Sequence, residues 1–289
     1  MLISKRTFIK SFAALLGGFL FFGCRNQGKK SRSRVRSVSV PEIKGEIKKA
    51  MQNQKPLDSL VPIKTPGPLK AFPSEINRFG MAIDLDLCDG CGECILACNL
   101  ENNIPLVNEY QASKNNYMHW MEMRDQIPVM CFHCGDAPCE KVCPTGAATH
   151  SPDGVSAMVF ARCAGTRFCG VNCPIKIRKF NYVDALEEGL QYIANPEVPI
   201  RERGVIEKCS LCLHRIQNAR LKAKTLGVEF RGESLTTACS EACSKGAIQF
   251  GNWLDSNSKL YKKAKGRGIY TLASMAPFDP SVVYLKGVR

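Results

Sequence analysis

The chain has 289 residues, 45% of them hydrophobic, enough to bury the core of one or two domains. Its sixteen cysteines are far above ordinary usage, and fifteen of them fall into four tight groups rather than the loose, even pairing of a short secreted disulfide scaffold. The formal charge of +14 would suit a nucleic acid, but no stripe of interleaved basic and aromatic side chains accompanies it, so that class is excluded.

In chain order, the first element is a targeting segment over residues 1–23. Ser4-Lys5-Arg6-Thr7-Phe8-Ile9-Lys10 resembles the twin-arginine export motif, with Lys5 for the first arginine and Ile9 for the usual leucine. The apolar run Ser11–Phe22 is twelve residues, too short to span a bilayer and right for a signal-peptide core. Phe22-Gly23-Cys24 resembles a lipoprotein processing site, which makes Cys24 a lipidation candidate despite the bulky Phe21 and Phe22. Export to the periplasmic face of the membrane is therefore expected. The cations Arg25, Lys29, Lys30, Arg32, Arg34 and Arg36 oppose it, because positive flanks tend to stay cytoplasmic.

Residues 24–76 are polar, basic and dotted with proline, and read as a linker or arm with one short helix around Pro41–Gln52. Short apolar stretches at Gly80–Leu87, Ile127–Met130, Ala157–Phe160 and Ile248–Phe250 predict small strands. Leu213–Thr225 carries Ile216, Ala219 and Leu221 at helical spacing, and predicts a helix that packs on the core, faces a partner or lies on the surface.

The chemistry lies in the cysteine groups. The first is Cys88, Cys91, Cys94 and Cys98, a complete C-x2-C-x2-C-x3-C. The second is Cys131, Cys134, Cys139 and Cys143, with two residues inserted before the third cysteine. The third, Cys163, Cys169 and Cys173, has Thr166 where a fourth thiolate belongs. The fourth is Cys209, Cys212, Cys239 and Cys243, split by a 26-residue insertion. Such runs are the ligand spacing of iron–sulfur clusters: three cysteines on a wrapping loop hold one cluster, and the last, on a following helix, reaches the other cluster of its pair. Gly90, Gly92 and Gly135 let the loops approach closely, and Pro144 and Pro174 turn the chain after the last ligand. The echo of Cys139-x3-Cys143-Pro-Thr-Gly-Ala147 in Cys239-x3-Cys243-Ser-Lys-Gly-Ala247 marks an internal duplication.

Zinc is the competing metal, but a continuous run of this kind gives one tetrahedral ion unsuitable geometry. Covalent haem is excluded, since no C-x-x-C-H occurs. His119, His133, His150 and His214 show no ligand spacing, and His133, inside the second group, either tunes a cluster or does nothing. With four clusters of about −2 each and the three cations of the leader removed, only about +3 of the formal charge remains, so the basicity mostly offsets the cofactors.

The four groups in this order resemble the four-cluster iron–sulfur subunits of the complex iron–sulfur molybdoenzyme family, over roughly Asn77 to Thr271. Glu101-Asn-Asn-Ile-Pro105, Met118-His-Trp120, Gly165-Thr-Arg-Phe-Cys169 and Arg203-Gly-Val-Ile-Glu-Lys-Cys209 are similar to the iron–sulfur subunit of alternative complex III and the related quinone reductase complex. The resemblance implies an α+β fold of two tandem dicluster ferredoxin-like modules with short strands, helical insertions and long loops. The modules would be residues 77–126 with 200–251, and 127–199, preceded by an extended arm and followed by a tail over 252–289 that wraps a partner. It implies three [4Fe–4S] clusters, on Cys88/Cys91/Cys94/Cys243, Cys98/Cys209/Cys212/Cys239 and Cys131/Cys134/Cys139/Cys173. A [3Fe–4S] cluster on Cys143/Cys163/Cys169 would leave Thr166 at the vacant ligand position, on the side of the quinone-binding membrane subunit. Ser244 departs from the pattern, replacing the proline that usually follows the last cysteine.

No nucleophile–base pair, phosphate loop or substrate motif is present, so the expected role is an electron-transfer subunit and not an enzyme. The expected partners are a polysulfide-reductase-type membrane subunit, a molybdopterin-oxidoreductase-like large subunit and a multihaem cytochrome c. The alternatives are a subunit feeding a molybdopterin reductase of tetrathionate, polysulfide or dimethyl sulfoxide type, and a free-standing cytoplasmic polyferredoxin.

Overall fold

The computed structural model describes residues 38–68, 77–232 and 234–287. The chain divides into Met1–Arg34, which lies outside the described residues together with the export motif and Cys24, and Val35–Arg289. Among the described residues no helix is long and apolar enough to cross a membrane.

The second unit is built on a five-stranded sheet. Helix α1 (Val40–Gln52) precedes strand β1 (Leu60–Pro62), and β2 (Phe79–Asp84) leads into the first cysteine group. Much further on come β9 (Ile248–Asn252), β10 (Gly268–Leu272) and β11 (Val282–Lys286), and the sheet order is β1-β10-β11-β2-β9. Only the β11–β2 pair is parallel, with Val283 opposite Ala82. Every residue of β2 is buried, because the sheet is covered on both faces. On one face Phe79 stacks on Phe250 at 5.5 Å between ring centroids, joined by Met81, Ile83 and Tyr284. On the other, Ala82, Val283 and Leu285 pack with Trp253, Leu260 and Ala264.

The cysteine loops hang from this sheet and from three two-stranded ribbons. These are β3 (Met121–Arg124) with β4 (Ile127–Met130), β5 (Ala148–His150) with β6 (Ser156–Met158), and β7 (Lys179–Phe180) with β8 (Ile206–Glu207). The helices that carry cysteines pack in two pairs. Glu93–Glu101 (α2), followed by the short α3 (Glu109–Ser113), lies against Ala238–Glu241 (α7), and Pro138–Lys141 (α4) against Phe168–Asn172 (α5). The first pair joins cysteine groups one and four, the second groups two and three.

Two expectations are corrected here. Residues 252–287 are not a tail: β11 lies between β10 and β2, with Val282 to Leu285 no more than 1% exposed, so hydrophobic burial fixes this segment inside its own fold. Nor is the segment before residue 77 only a linker. Ser39 closes a capping box with Glu42, Ile43 and Ile47 are buried, and Leu60 pairs with Leu272. Its charged residues alternate with apolar ones at helical spacing, so a composition-level reading sees only the polar face.

The predicted strands fall where expected within a residue or two, except that the first ends at Asp84, with residues 85–87 in a turn, and Phe160 leaves its strand for a 3-10 turn over Phe160–Arg162. Helix α6 (Leu213–Leu226) confirms the predicted insertion helix; Ile216 and Ala223 are buried, whereas Leu221 is exposed.

Candidate iron–sulfur centres

The fifteen described cysteines are free thiols and form four sets, each drawn from two parts of the sequence. Cys88, Cys91 and Cys94 face Cys243. Cys98 joins Cys209, Cys212 and Cys239 around a small cavity. Cys131, Cys134, Cys139 and Cys173 line a second. Cys143, Cys163 and Cys169 line a third, with Thr166 on the wall. In every set the last cysteine of a group has crossed to the partner group, as helix-borne ligands do when the preceding loop wraps its own centre.

The sets stand in series. Cys94 neighbours Cys98 and Cys239 of the second set, Cys209 neighbours Cys131 of the third, and Arg178 faces both the third set and Cys169 of the fourth. The two inner sets are buried, with no cysteine above 9% exposed, whereas each outer set reaches the surface, through Cys88, Cys91 and Cys243 at one end and Cys143 and Cys163 at the other.

The donor chemistry fits iron–sulfur clusters. Burial, reinforced by Cys88, Cys91 and Cys243, pushes the Cys94 thiol up to about 12, and burial lifts Cys139 and Cys212 to about 11. Cys98, Cys134, Cys209 and Cys239 go higher still, for the same reason of desolvation and mutual repulsion. Thiolates packed this way exist only around a cationic core that replaces the lost hydration. Among the described residues, no three His, Cys, Asp or Glu side chains converge on a point that would suit one metal ion, as a zinc site requires.

Hydrogen-bond donors already aim at the sulfurs, the usual tuning device of such centres. The amides of Ala148 and Ala247 donate to Cys143 and Cys243 at 3.4 and 3.2 Å, five and four residues after the sulfur they meet. Ile206 N–H donates to Cys163 at 3.4 Å, and Asn102 Nδ2 to Cys98 at 3.6 Å. Cys143 is held below the usual thiol range: burial acts to raise it, and the Ala148 amide and Thr145 hydroxyl outweigh burial.

Wrapping the loops requires left-handed backbone. Gly90 has φ +71°, and a Cβ there would meet Gln126 at 2.8 Å, so protein packing as well as close approach to sulfur demands glycine. Non-glycine residues adopt the same region at His133, Arg167 and Cys212, which flank or belong to the sets. The Thr166 end is open: Thr166, Phe168 and Val171 are exposed, and a cavity of about 500 Å3 shares Arg167 and Ile206 with the space beside Thr166.

The histidines stay outside the sets. His150 and His214 pair with Glu140 and Glu101 at 3.1 and 2.7 Å. His119 accepts or donates to Asn99 at 2.7 Å and is held near 3 by burial and Lys179; His133 is driven well below its usual value by burial and nearby Lys208. Two buried cations stand beside the sulfurs, Arg178 and Lys208, and nothing in the sequence singles out their role among 40 basic residues.

Fold and donor sets together define a cysteine-ligated, ferredoxin-like electron-transfer protein with more than one centre. The family described as the 4Fe-4S dicluster domain matches residues 87–147. The iron–sulfur cluster-binding subunit of menaquinone reductase from Nitratidesulfovibrio vulgaris is 34% identical over 226 residues, covering 72% of this chain and 88% of that protein. Iron–sulfur subunit 1 of the Hdr-like menaquinol oxidoreductase from Archaeoglobus fulgidus is 35% identical over 242 residues, 73% and 84% of the two chains. The iron–sulfur subunit of the arsenate respiratory reductase from a Shewanella species is 28% identical over 250 residues, 72% of this chain and 96% of that protein. The chain belongs to the iron–sulfur electron-transfer subunits of the complex iron–sulfur molybdoenzyme family, and is a relay and not a catalytic subunit.

Proposed function

We propose that this chain carries electrons through three [4Fe–4S] clusters and one [3Fe–4S] cluster between a membrane quinone site and a second redox partner. The observation that carries the reading is the series of four cysteine sets, surface-exposed at both ends and buried between. In this reading the four-thiolate sets on Cys88/Cys91/Cys94/Cys243, Cys98/Cys209/Cys212/Cys239 and Cys131/Cys134/Cys139/Cys173 hold cubane clusters. Cys143, Cys163 and Cys169 hold the three-iron centre, because the Thr166 hydroxyl cannot supply a thiolate. When bound, such clusters supply one-electron redox chemistry at potentials the protein sets. The residues here ligate them, donate hydrogen bonds to sulfur and keep water from the two inner centres.

The Thr166 end would face the quinone-binding membrane subunit, and its exposed Phe168 and Val171 suit an apolar partner. The menaquinone-linked names of two relatives above 30% identity favour a quinone over an oxyanion reductase as the system served. The further partners would be a molybdopterin-oxidoreductase-like large subunit and a multihaem cytochrome c, with the assembly on the periplasmic face after export and Cys24 as a lipid anchor.

Electron paramagnetic resonance of the oxidised complex tests the cluster assignment. A [3Fe–4S] signal is expected, and Thr166→Cys should convert it to a fourth [4Fe–4S] centre; four diamagnetic oxidised clusters in the unaltered protein would sink the assignment. Mass spectrometry of the mature N-terminus tests export and lipidation, with an unprocessed Met1 as the contrary result.

A further inference from the structure

Both junctions of the Cys131/Cys134/Cys139/Cys173 set contain a buried cation. Arg178, 8% exposed, donates from Nη2 to Cys139 Sγ at 2.8 Å and places Nη1 3.1 Å from Met158 Sδ. Its guanidinium also faces Cys131 and Cys173, and across the junction it faces Cys169 of the Thr166 set. Lys208, 2% exposed, is anchored by the carbonyls of Ser156 and Cys209. It faces Cys134 and Cys139 on one side and Cys209 on the other. Glu140 also faces Cys139 and Lys208, its carboxylate paired with His150 and the Ser156 hydroxyl, so the set meets two buried cations and one anion.

The other four-cysteine sets have different surroundings. Cys88 meets Asp89, an anion. Cys212 meets Glu101 and Arg215, which is 26% exposed and bound to Glu101 and Glu241, so most of its charge is cancelled or screened; Lys208 faces this set at Cys209.

Adding an electron makes a cluster more negative. A cation held in a low-dielectric interior stabilises that reduced state, and a charge-assisted hydrogen bond to a ligand sulfur acts in the same direction. We propose that Arg178 and Lys208 are positioning residues that make the Cys131/Cys134/Cys139/Cys173 centre the highest in potential of the three four-cysteine centres. That centre is then the first acceptor beyond the Thr166 centre, with a cation at each of its junctions. The inference rests on the cluster assignment above.

The test is a redox titration of the intact complex followed by electron paramagnetic resonance, with iron content measured in parallel. In Arg178→Met one centre should lose at least tenfold in its reduced-to-oxidised ratio at fixed potential, about 59 mV for a one-electron couple. Arg178→Lys, which keeps the charge without the fork, should recover more than half of that loss. Lys208→Met should lower the same centre and, by less, one neighbour. In the unaltered complex the responding centre should be the highest of the three. A fully loaded Arg178→Met complex with unchanged midpoints would overturn the proposal, as would a responding centre that is not the highest. Should Arg178→Met lose iron, unchanged midpoints in both Arg178→Lys and Lys208→Met would overturn it. Absence of the expected clusters would instead fail the assignment on which it rests.

Discussion

At the scale of single residues, the interior is organised around charges that water would ordinarily solvate. Glu46 on α1 is an instance away from the cysteines. Burial raises its carboxyl to about 7, against the lowering effects of the Val107 amide, which donates to Oε2 at 2.9 Å, and of Lys49. His119 Nε2 stands 3.6 Å away but is neutral, so the two do not form an ion pair. Because the folded value lies above the unfolded one, Glu46 costs nothing below pH 4 and destabilises progressively as pH rises through about 7. Glu46→Gln keeps an acceptor for Val107 and removes the charge. It should raise the thermal midpoint at pH 8, by up to about 3 kcal/mol in stability, with little effect at pH 4.5. Equal gains at both pH values, followed by the loss of cluster absorbance on heating, would refute the burial argument.

At the scale of elements, the Thr166 loop shows how far spacing alone can be read. The vacancy at Thr166 and the ligands around it are visible in the sequence because thiolate spacing is a chemical requirement. The reason for Gly165 is not visible there. Its φ is +70°, and a Cβ would lie 2.3 Å from the carbonyl oxygen of Gly204, on a segment some forty residues later. Gly165→Ala should therefore displace the loop and empty the three-cysteine site selectively, with the three-iron signal lost and the four-iron signals kept. Retention of that signal at full iron content would show that the loop adapts. The small strands were legible by their apolar runs, and α6 by its period. Helix α1 was legible as a short helix, but not as a wall of the core, because Ile43 and Ile47 are few among its charges.

At the scale of the whole molecule, the C-terminal residues close the sheet. Removing residues 281–289 would take out β11, which separates β10 from β2, and would expose Ala82 and Ile83 on both faces of the sheet. That truncation should give protein that fails to retain clusters and is recovered insoluble, whereas removal of a peripheral tail would leave soluble, loaded protein; sedimentation and iron content distinguish the two.

The sequence by itself determined the cofactor class, the four groups of cysteines and the gap at Thr166, because cysteine spacing is set by the local geometry of a loop around a cluster. The pairing of groups also followed, once the resemblance of the chain to known iron–sulfur subunits was taken into account. Only the tertiary structure decided the series order, the burial of the two inner sets, the packing of residues 38–62 and 252–287 onto or into the core sheet, and the positions of Arg178 and Lys208. These depend on contacts between segments far apart in the chain. Strand β11 pairs with β2 across some two hundred residues, and a buried cation takes its meaning from sulfurs brought to it by other loops. Local pattern does not encode such distances; hydrophobic burial of the sheet faces and pairing of buried charges fix them.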